Sequence, residues 1–384
     1  MTNQNSSYPI LCASFNQDYS CFAVGTKLGF KIFDAETLRL CYQKDIGAFG
    51  IVEMRFSSSL LAIVGAGEQP ALSPRRLCLF NTTTGAPLQE LNFLTSVLAI
   101  RLNKLRLIVL LQDKVFIYDI NSLAILSVLD TVPNPKGLSA FSHILDACFL
   151  ALPASTTKGS MLVYDVMELQ SLCEAITKKG KGKLNKITFL SAIDAHLSPL
   201  AAMVFSSNGT YLATASEQGT MVRVHTVPEG TKCFSFRRGA YPSTIFSLSF
   251  GSFVQLPEFL AAISSSGSLH LFILGAASNQ RGKNSSSFIG GMIPSSILDP
   301  AHHHVLHNAV VEGVKSYAVI RKVEKISDAS GSGTFCFRAT VSVVTYDGYF
   351  REYIFNINHK NESSWTLERE YNLLTAISDI TTRS

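Results

Sequence analysis

The sequence predicts an all-β fold: a seven-bladed β-propeller of four-stranded antiparallel blades, one domain over residues 1–384, closed without strand exchange between the termini. Three observations predict it. Short apolar runs alternate with polar turns along the whole chain, no apolar stripe of helical period persists for three or four turns, and a ring residue followed in six of seven cases by a polar one recurs at seven strand ends. Many short strands leave many sheet edges, and radial closure of small sheets removes that liability better than one open sheet would.

Taken in order, residues 13–15, 21–24 and 30–34 form the first three strands of a small sheet, with a polar turn at Asn16, Gln17 and Asp18. The same grammar returns as 54–56, 60–64 and 76–81, and again as 98–102, 107–111 and 115–119. Each third strand ends alike, at Phe33-Asp34, Phe80-Asn81, Tyr118-Asp119, Tyr164-Asp165, His225-Thr226, Phe272-Ile273 and Phe355-Asn356, an echo of WD-type repeats. The separations are 47, 38, 46, 61, 47 and 83 residues, against about 40–45 for a four-stranded blade. Two insertions stretch the pattern. One spans 168–186, with a short amphipathic turn and the basic run Lys178-Lys179-Gly180-Lys181-Gly182-Lys183, expected as a solvated loop; the other makes 274–310 a long blade-six loop, with its insertion at 275–310. Residues 10–15 give unit one its own first strand and 364–371 give unit seven its own fourth, so no blade is shared between the termini.

Apolar residues make up 47% of the chain and charged ones 16%, ample core material and far from the disordered regime. A net charge of +5 is too mild to argue for nucleic acid, yet it suits an anionic membrane surface. The eight cysteines lack ligand spacing and are expected as buried thiols in a reducing compartment. The N-terminal residues carry no targeting pattern, and the most apolar tract, 100–120, is broken by Arg101, Lys104, Arg106, Asp113 and Lys114. Cytosolic residence with peripheral membrane contact is the expectation.

The chemistry centres on Phe236-Arg237-Arg238-Gly239. Successive strand residues face opposite ways, so the two guanidinium groups open into two pockets rather than one. Each fork suits phosphate, and Gly239 is expected to free the backbone for a turn. An Asn208-Gly209 hairpin and a turn at Glu217-Gln218-Gly219 bring Thr214, Ser216, Thr220 and Arg223 near Arg237. In the next unit Ser264, Ser268 and His270 are offered to Arg238. That set of hydroxyls and guanidinium groups can hold a phosphorylated ring. His302, His303, His304 and His307 cannot all converge on one ion and are expected as a solvated loop cluster; no metal and no cofactor is expected. No phosphate-cradling Gly-rich loop, nucleophile elbow or metal-ligand spacing is present, which argues against an enzyme.

On these motifs, FRRG following the segment from Ala213 to Gly230, the whole chain resembles the PROPPIN family, propellers that bind phosphatidylinositol 3-phosphate and phosphatidylinositol 3,5-bisphosphate and act in autophagy. The resemblance implies a first site of His196, Thr214, Ser216, Gly219, Thr220, Arg223 and Arg237. It implies a second of Arg238, Gly239, Ser264, Ser268 and His270. Ile263 stands where the family often has another hydroxyl, a departure that bears on the second site. The 275–310 insertion matches the family's membrane-entering loop, with Phe288, Ile289, Met292 and Ile293 as the inserting residues. The blade-two loop with Pro74 and Arg75 matches the contact with an autophagy lipid-transfer partner. A monomer in solution, peripheral on preautophagosomal, endosomal or vacuolar membranes, is implied. Tyr371-Asn372-Leu373-Leu374 fits the degenerate aromatic-x-x-aliphatic pattern of ubiquitin-like-protein ligands, but its place at a strand end makes it structural. The competing function is a propeller scaffold that assembles protein complexes without binding lipid.

Overall fold

The computed structural model describes residues 8–144, 148–167, 169, 188–251, 258–274, 303–327, 335–358 and 361–374. Their strands form seven four-stranded antiparallel sheets, each made of four consecutive strands. The first strands pack side by side around the axis and the fourth strands lie outermost.

The sequence echo at the third-strand ends has a physical cause. Asp34 accepts backbone N–H bonds from Glu36 and Thr37, Asn81 from Thr83 and Thr84, and Asp119 from Asn121 and Ser122. A short acceptor side chain there closes the turn into the fourth strand, while the preceding aromatic points into the core. One boundary differs from expectation. The strand expected at 54–56 is Phe49–Met54, because the Phe56 amide is captured by Gln17 Oε1 and Phe56 adopts φ 49° in a turn.

The apolar core is divided into seven clusters, each between two neighbouring blades. Alternation within a strand explains this: a central strand is covered on both faces, so it is apolar almost throughout, as in Glu258–Ser264 and Leu269–Leu274. Closure follows the sequence reading. Ile10–Phe15 belongs wholly to blade 1 and Ser363–Asn372 wholly to blade 7, and the two blades meet through stacked Phe22 and Phe350, 5.1 Å apart. An ion network covers the seam, with Arg321 reaching Glu36 at 2.8 Å and Arg369 reaching Glu352 at 2.7 Å.

Two further expectations need correction. Cys12, Cys21, Cys41, Cys78, Cys148 and Cys233 are free thiols, but of these only Cys148 is buried, and Cys41, on an outer fourth strand, is exposed. The blade-six insertion is shorter than 274–310: Leu274 ends the third strand and His303–Leu306 is the fourth. Both the 178–183 basic run and Phe288, Ile289, Met292 and Ile293 lie outside the described residues. Among those described, no helix is long and apolar enough to cross a membrane.

Candidate functional site

Blade 5 consists of Leu200–Phe205, Tyr211–Ser216, Met221–Thr226 and Lys232–Arg237. Its turn between second and third strands, residues 217–219, and its exit from the fourth strand occupy one end of the blade. His196, the last residue of blade 4's fourth strand, reaches the same end, as do Ser264 and Ser268 of blade 6. The expected site residues therefore gather at one end of blades 4 to 6.

Register sorts the blade-5 residues by face. Arg223 pairs with Thr214 on one side and Ser235 on the other, so these three form a row across the sheet. Arg237, two residues beyond Ser235, shares that face, and the row looks toward blade 4. There His196 Nε2 lies 3.0 Å from Thr214 Oγ1, and Arg223 Nη1 donates to the Ala195 carbonyl. Burial, followed by the Arg223 charge, holds the His196 imidazole down at about 4, so it is neutral near pH 7. Arg223 Nε is buried without a hydrogen-bond partner, while Arg237 is exposed. Ser216, two residues beyond Thr214, continues the row toward the turn. A ligand with phosphate and hydroxyl groups would meet here two guanidinium groups and several hydroxyls.

The opposite face carries Phe234, Phe236 and then Arg238. Phe236 stacks on Phe272 of blade 6 at 4.8 Å, which fixes the direction in which Arg238 follows. Unlike Arg237, Arg238 is covered by the protein, with 8% of it exposed. Its Nε donates to the Gly219 carbonyl at 2.7 Å, and Nη2 donates to the Tyr241 carbonyl. Across from it blade 6 carries Ser264, whose Oγ is 3.0 Å from Ser266 Oγ, Ser268 and His270, on which the Arg238 charge acts. Burial, then the neighbouring His303 and Arg238, pushes His270 down to about 3. Its Nε2 is buried without a hydrogen-bond partner. Ile263 packs fully buried in the core between blades 6 and 7, on the face away from Ser264, so its side chain walls no part of this pocket.

Several participants escaped the sequence reading. His303 Nε2 lies 2.9 Å from His270 Nδ1 and its ring stacks on Phe272, while His307 Nδ1 is 3.5 Å from Ser268 Oγ. His307 is an exposed turn residue as expected and His302 lies outside the described residues, but His303 and His304 are not loop residues: they belong to a strand and face opposite ways, and His304 reaches Ser363 instead. Ser235 was signalled by alternation alone, standing two residues before Arg237. The glycine roles also shift. Gly239 has no positive φ and no atom within 4 Å of a Cβ built on it, whereas Gly219 has φ +62° and such a Cβ would lie 1.7 Å from the Ser243 carbonyl oxygen. The turn freedom thus belongs to Gly219.

Elsewhere, Pro74 and exposed Arg75 lie in the blade-2 loop, beside an apolar cleft lined by Ile46, Phe49, Leu72 and Phe80. Leu373 is 1% exposed, so the Tyr371–Leu374 pattern is part of the closing core.

Seven packed four-stranded blades define the class: a WD-type propeller, with Arg237 and Arg238 leaving one end of blade 5 on opposite faces. The PROPPIN family model matches residues 9–192 and 184–297. Autophagy-related protein 18b of Arabidopsis thaliana is 62% identical over 369 residues, covering 95% of this chain and 96% of that protein. Autophagy-related protein 18 of Yarrowia lipolytica is 33% identical over 407 residues, covering 94% and 96%. Among solved structures, Kluyveromyces lactis Hsv2 superposes with a TM-score of 0.69 at 19% identity, over 96% of this chain and 100% of that one. A complex of KlAtg21 with the coiled-coil of AgAtg16 matches at 0.66 and 20% identity, over 94% and 98%. The chain belongs to the PROPPIN family and is akin to autophagy-related proteins.

Proposed function

We propose that this protein is a non-enzymatic phosphoinositide effector, which binds phosphatidylinositol 3-phosphate and phosphatidylinositol 3,5-bisphosphate through the blade 4/5 and blade 5/6 pockets and recruits autophagy machinery to membranes. One observation carries the reading. Adjacent Arg237 and Arg238 are sent by strand alternation to opposite faces, Arg237 to the face that carries Thr214, Arg223 and Ser235, and Arg238 to the face toward blade 6, where its charge acts on His270. Guanidinium supplies the phosphate fork, and serine and threonine hydroxyls complement an inositol ring. Phe288, Ile289, Met292 and Ile293 would add apolar burial in the bilayer, at about 1.5–3 kcal/mol for each large side chain. Pro74 and Arg75 are the candidate contact for a lipid-transfer partner, and the protein would be peripheral on preautophagosomal, endosomal or vacuolar membranes.

The test is a paired measurement, calorimetry with a water-soluble short-chain phosphatidylinositol 3-phosphate and flotation with vesicles carrying the full lipid. Arg237→Thr with Arg238→Thr should abolish both, and Arg237→Thr alone should weaken both while leaving the fold intact. Aspartate at the four loop positions should spare headgroup affinity and abolish flotation. Unchanged flotation of Arg237→Thr and of a folded double variant would return the protein to the scaffold class.

A further inference from the structure

We infer that Leu197 and Tyr241 form a second contact with the bilayer, at the pocket end of blades 4 to 6 and independent of the blade-six insertion; the inference rests on the phosphoinositide reading above. Leu197 is 94% exposed and Tyr241 85%, large side chains with almost no cover from the protein. Each stands beside one pocket. Leu197 directly follows His196, and the Tyr241 carbonyl accepts from Arg238. Their loops are tied to the same blade-5 turn: Glu217 N–H donates to the Pro199 carbonyl at 2.8 Å, and Ser243 N–H donates to the Gln218 carbonyl at 3.1 Å. The two side chains therefore flank the turn from which both pockets are built, with exposed Arg237 at the same end.

Topology sets this contact apart from the insertion. The blade-six insertion departs from Leu274, at the far end of a six-residue third strand, roughly 20 Å at ~3.3 Å per residue from the turn that carries Ser268. The insertion is thus rooted at a different end of blade 6 from the one where Leu197 and Tyr241 stand, so a contact by these two is separate from its own. Tyrosine, apolar in its ring and polar at its tip, is suited to the headgroup boundary, and leucine to the first layer of acyl chain. The local charge is permissive: Glu217 is engaged by Lys136 at 2.7 Å, which offsets its repulsion of anionic lipid. Val311 is 59% exposed on the neighbouring connection, but exposed Glu312 follows it, and it is not assigned to this contact.

The occupant is a bilayer carrying a phosphoinositide. The experiment compares the full chain with Leu197→Ser, Tyr241→Ser and, as control, Leu94→Ser, which removes a 93% exposed leucine from the corresponding connection of blade 2, across the ring. The probes are short-chain phosphatidylinositol 3-phosphate and phosphatidylcholine vesicles with and without the full-length lipid. Each of the two variants should lose about tenfold in vesicle affinity, with headgroup affinity held within about twofold and the control unchanged. Tyr241→Trp should keep vesicle binding and show a blue-shifted emission, quenched by brominated lipid, over the background of the single native Trp365. Wild-type vesicle affinity in both serine variants would overturn the inference, as would a parallel loss of headgroup affinity or an unshifted tryptophan. Failure of the native chain to bind the soluble headgroup would instead overturn the phosphoinositide reading itself.

Discussion

Arg237 and Arg238 are chemically identical neighbours with different structural fates, and the difference is measurable. Arg237 is exposed, so Arg237→Thr should change stability by no more than about 0.5 kcal/mol. Arg238 satisfies two backbone carbonyls from within the protein, and Arg238→Thr leaves both without it. That loss should cost about 2 kcal/mol in urea denaturation. Equal stability of the two variants would show that the Arg238 hydrogen bonds are replaced by water. The opposite facing of the pair was legible in the sequence; the burial of one member was not, because it depends on Phe236 finding Phe272 in another blade.

At the scale of elements, the turn at residues 217–219 matters most. Its Gly219 carbonyl holds Arg238, and the Thr220 carbonyl that follows accepts the Arg238 amide at 2.8 Å. Gly219→Ala places a side chain in the left-handed region and against the Ser243 carbonyl. A loss of about 1–3 kcal/mol is expected, together with weaker binding of soluble phosphoinositide, since displacement of this turn reaches both pockets. Gly239→Ala, with open space around it, should be silent in both assays. The reverse ranking, a silent Gly219 and a sensitive Gly239, would refute this account of the turn. Strand positions were readable where an aspartate or asparagine closes the third-to-fourth turn. They were misread at 54–56, where apolar spacing resembles a strand but Gln17 from blade 1 captures the Phe56 amide.

For the whole molecule, the division of the core into seven inter-blade clusters makes acid a general stress. Burial first of all holds His143, His196, His225 and His303 down to about 4 and His270 to about 3. Below the ordinary histidine value of 6.5 the unfolded chain takes up protons that the folded chain refuses until near 4, so these groups lower stability as pH falls through that window. Glu53 and Glu258 are pushed up to about 7 by burial and act in the opposite sense from 4.5 to 7, since the folded chain then keeps protons that the unfolded chain releases. Five histidines outweigh two carboxyls, so the thermal unfolding midpoint should fall between pH 6.5 and 5. A flat or rising midpoint over that interval would contradict the burial of these imidazoles.

By itself the sequence determined the strand grammar, the number of blades, the closure without a shared blade and the placing of Thr214, Arg223 and Arg237 on one face of blade 5 with Arg238 on the other. All of these follow from local periodicity, turn chemistry and antiparallel pairing, which act over a few residues. Only the tertiary structure decided that Arg238 is buried, that His303 bonds His270 and His307 meets Ser268, that Ile263 faces the core, and that the insertion leaves from the end opposite the pockets. Those facts depend on which blade lies against which and on which way each strand runs when it arrives there. Contacts between blades join residues far apart in the chain, and no local pattern carries that information.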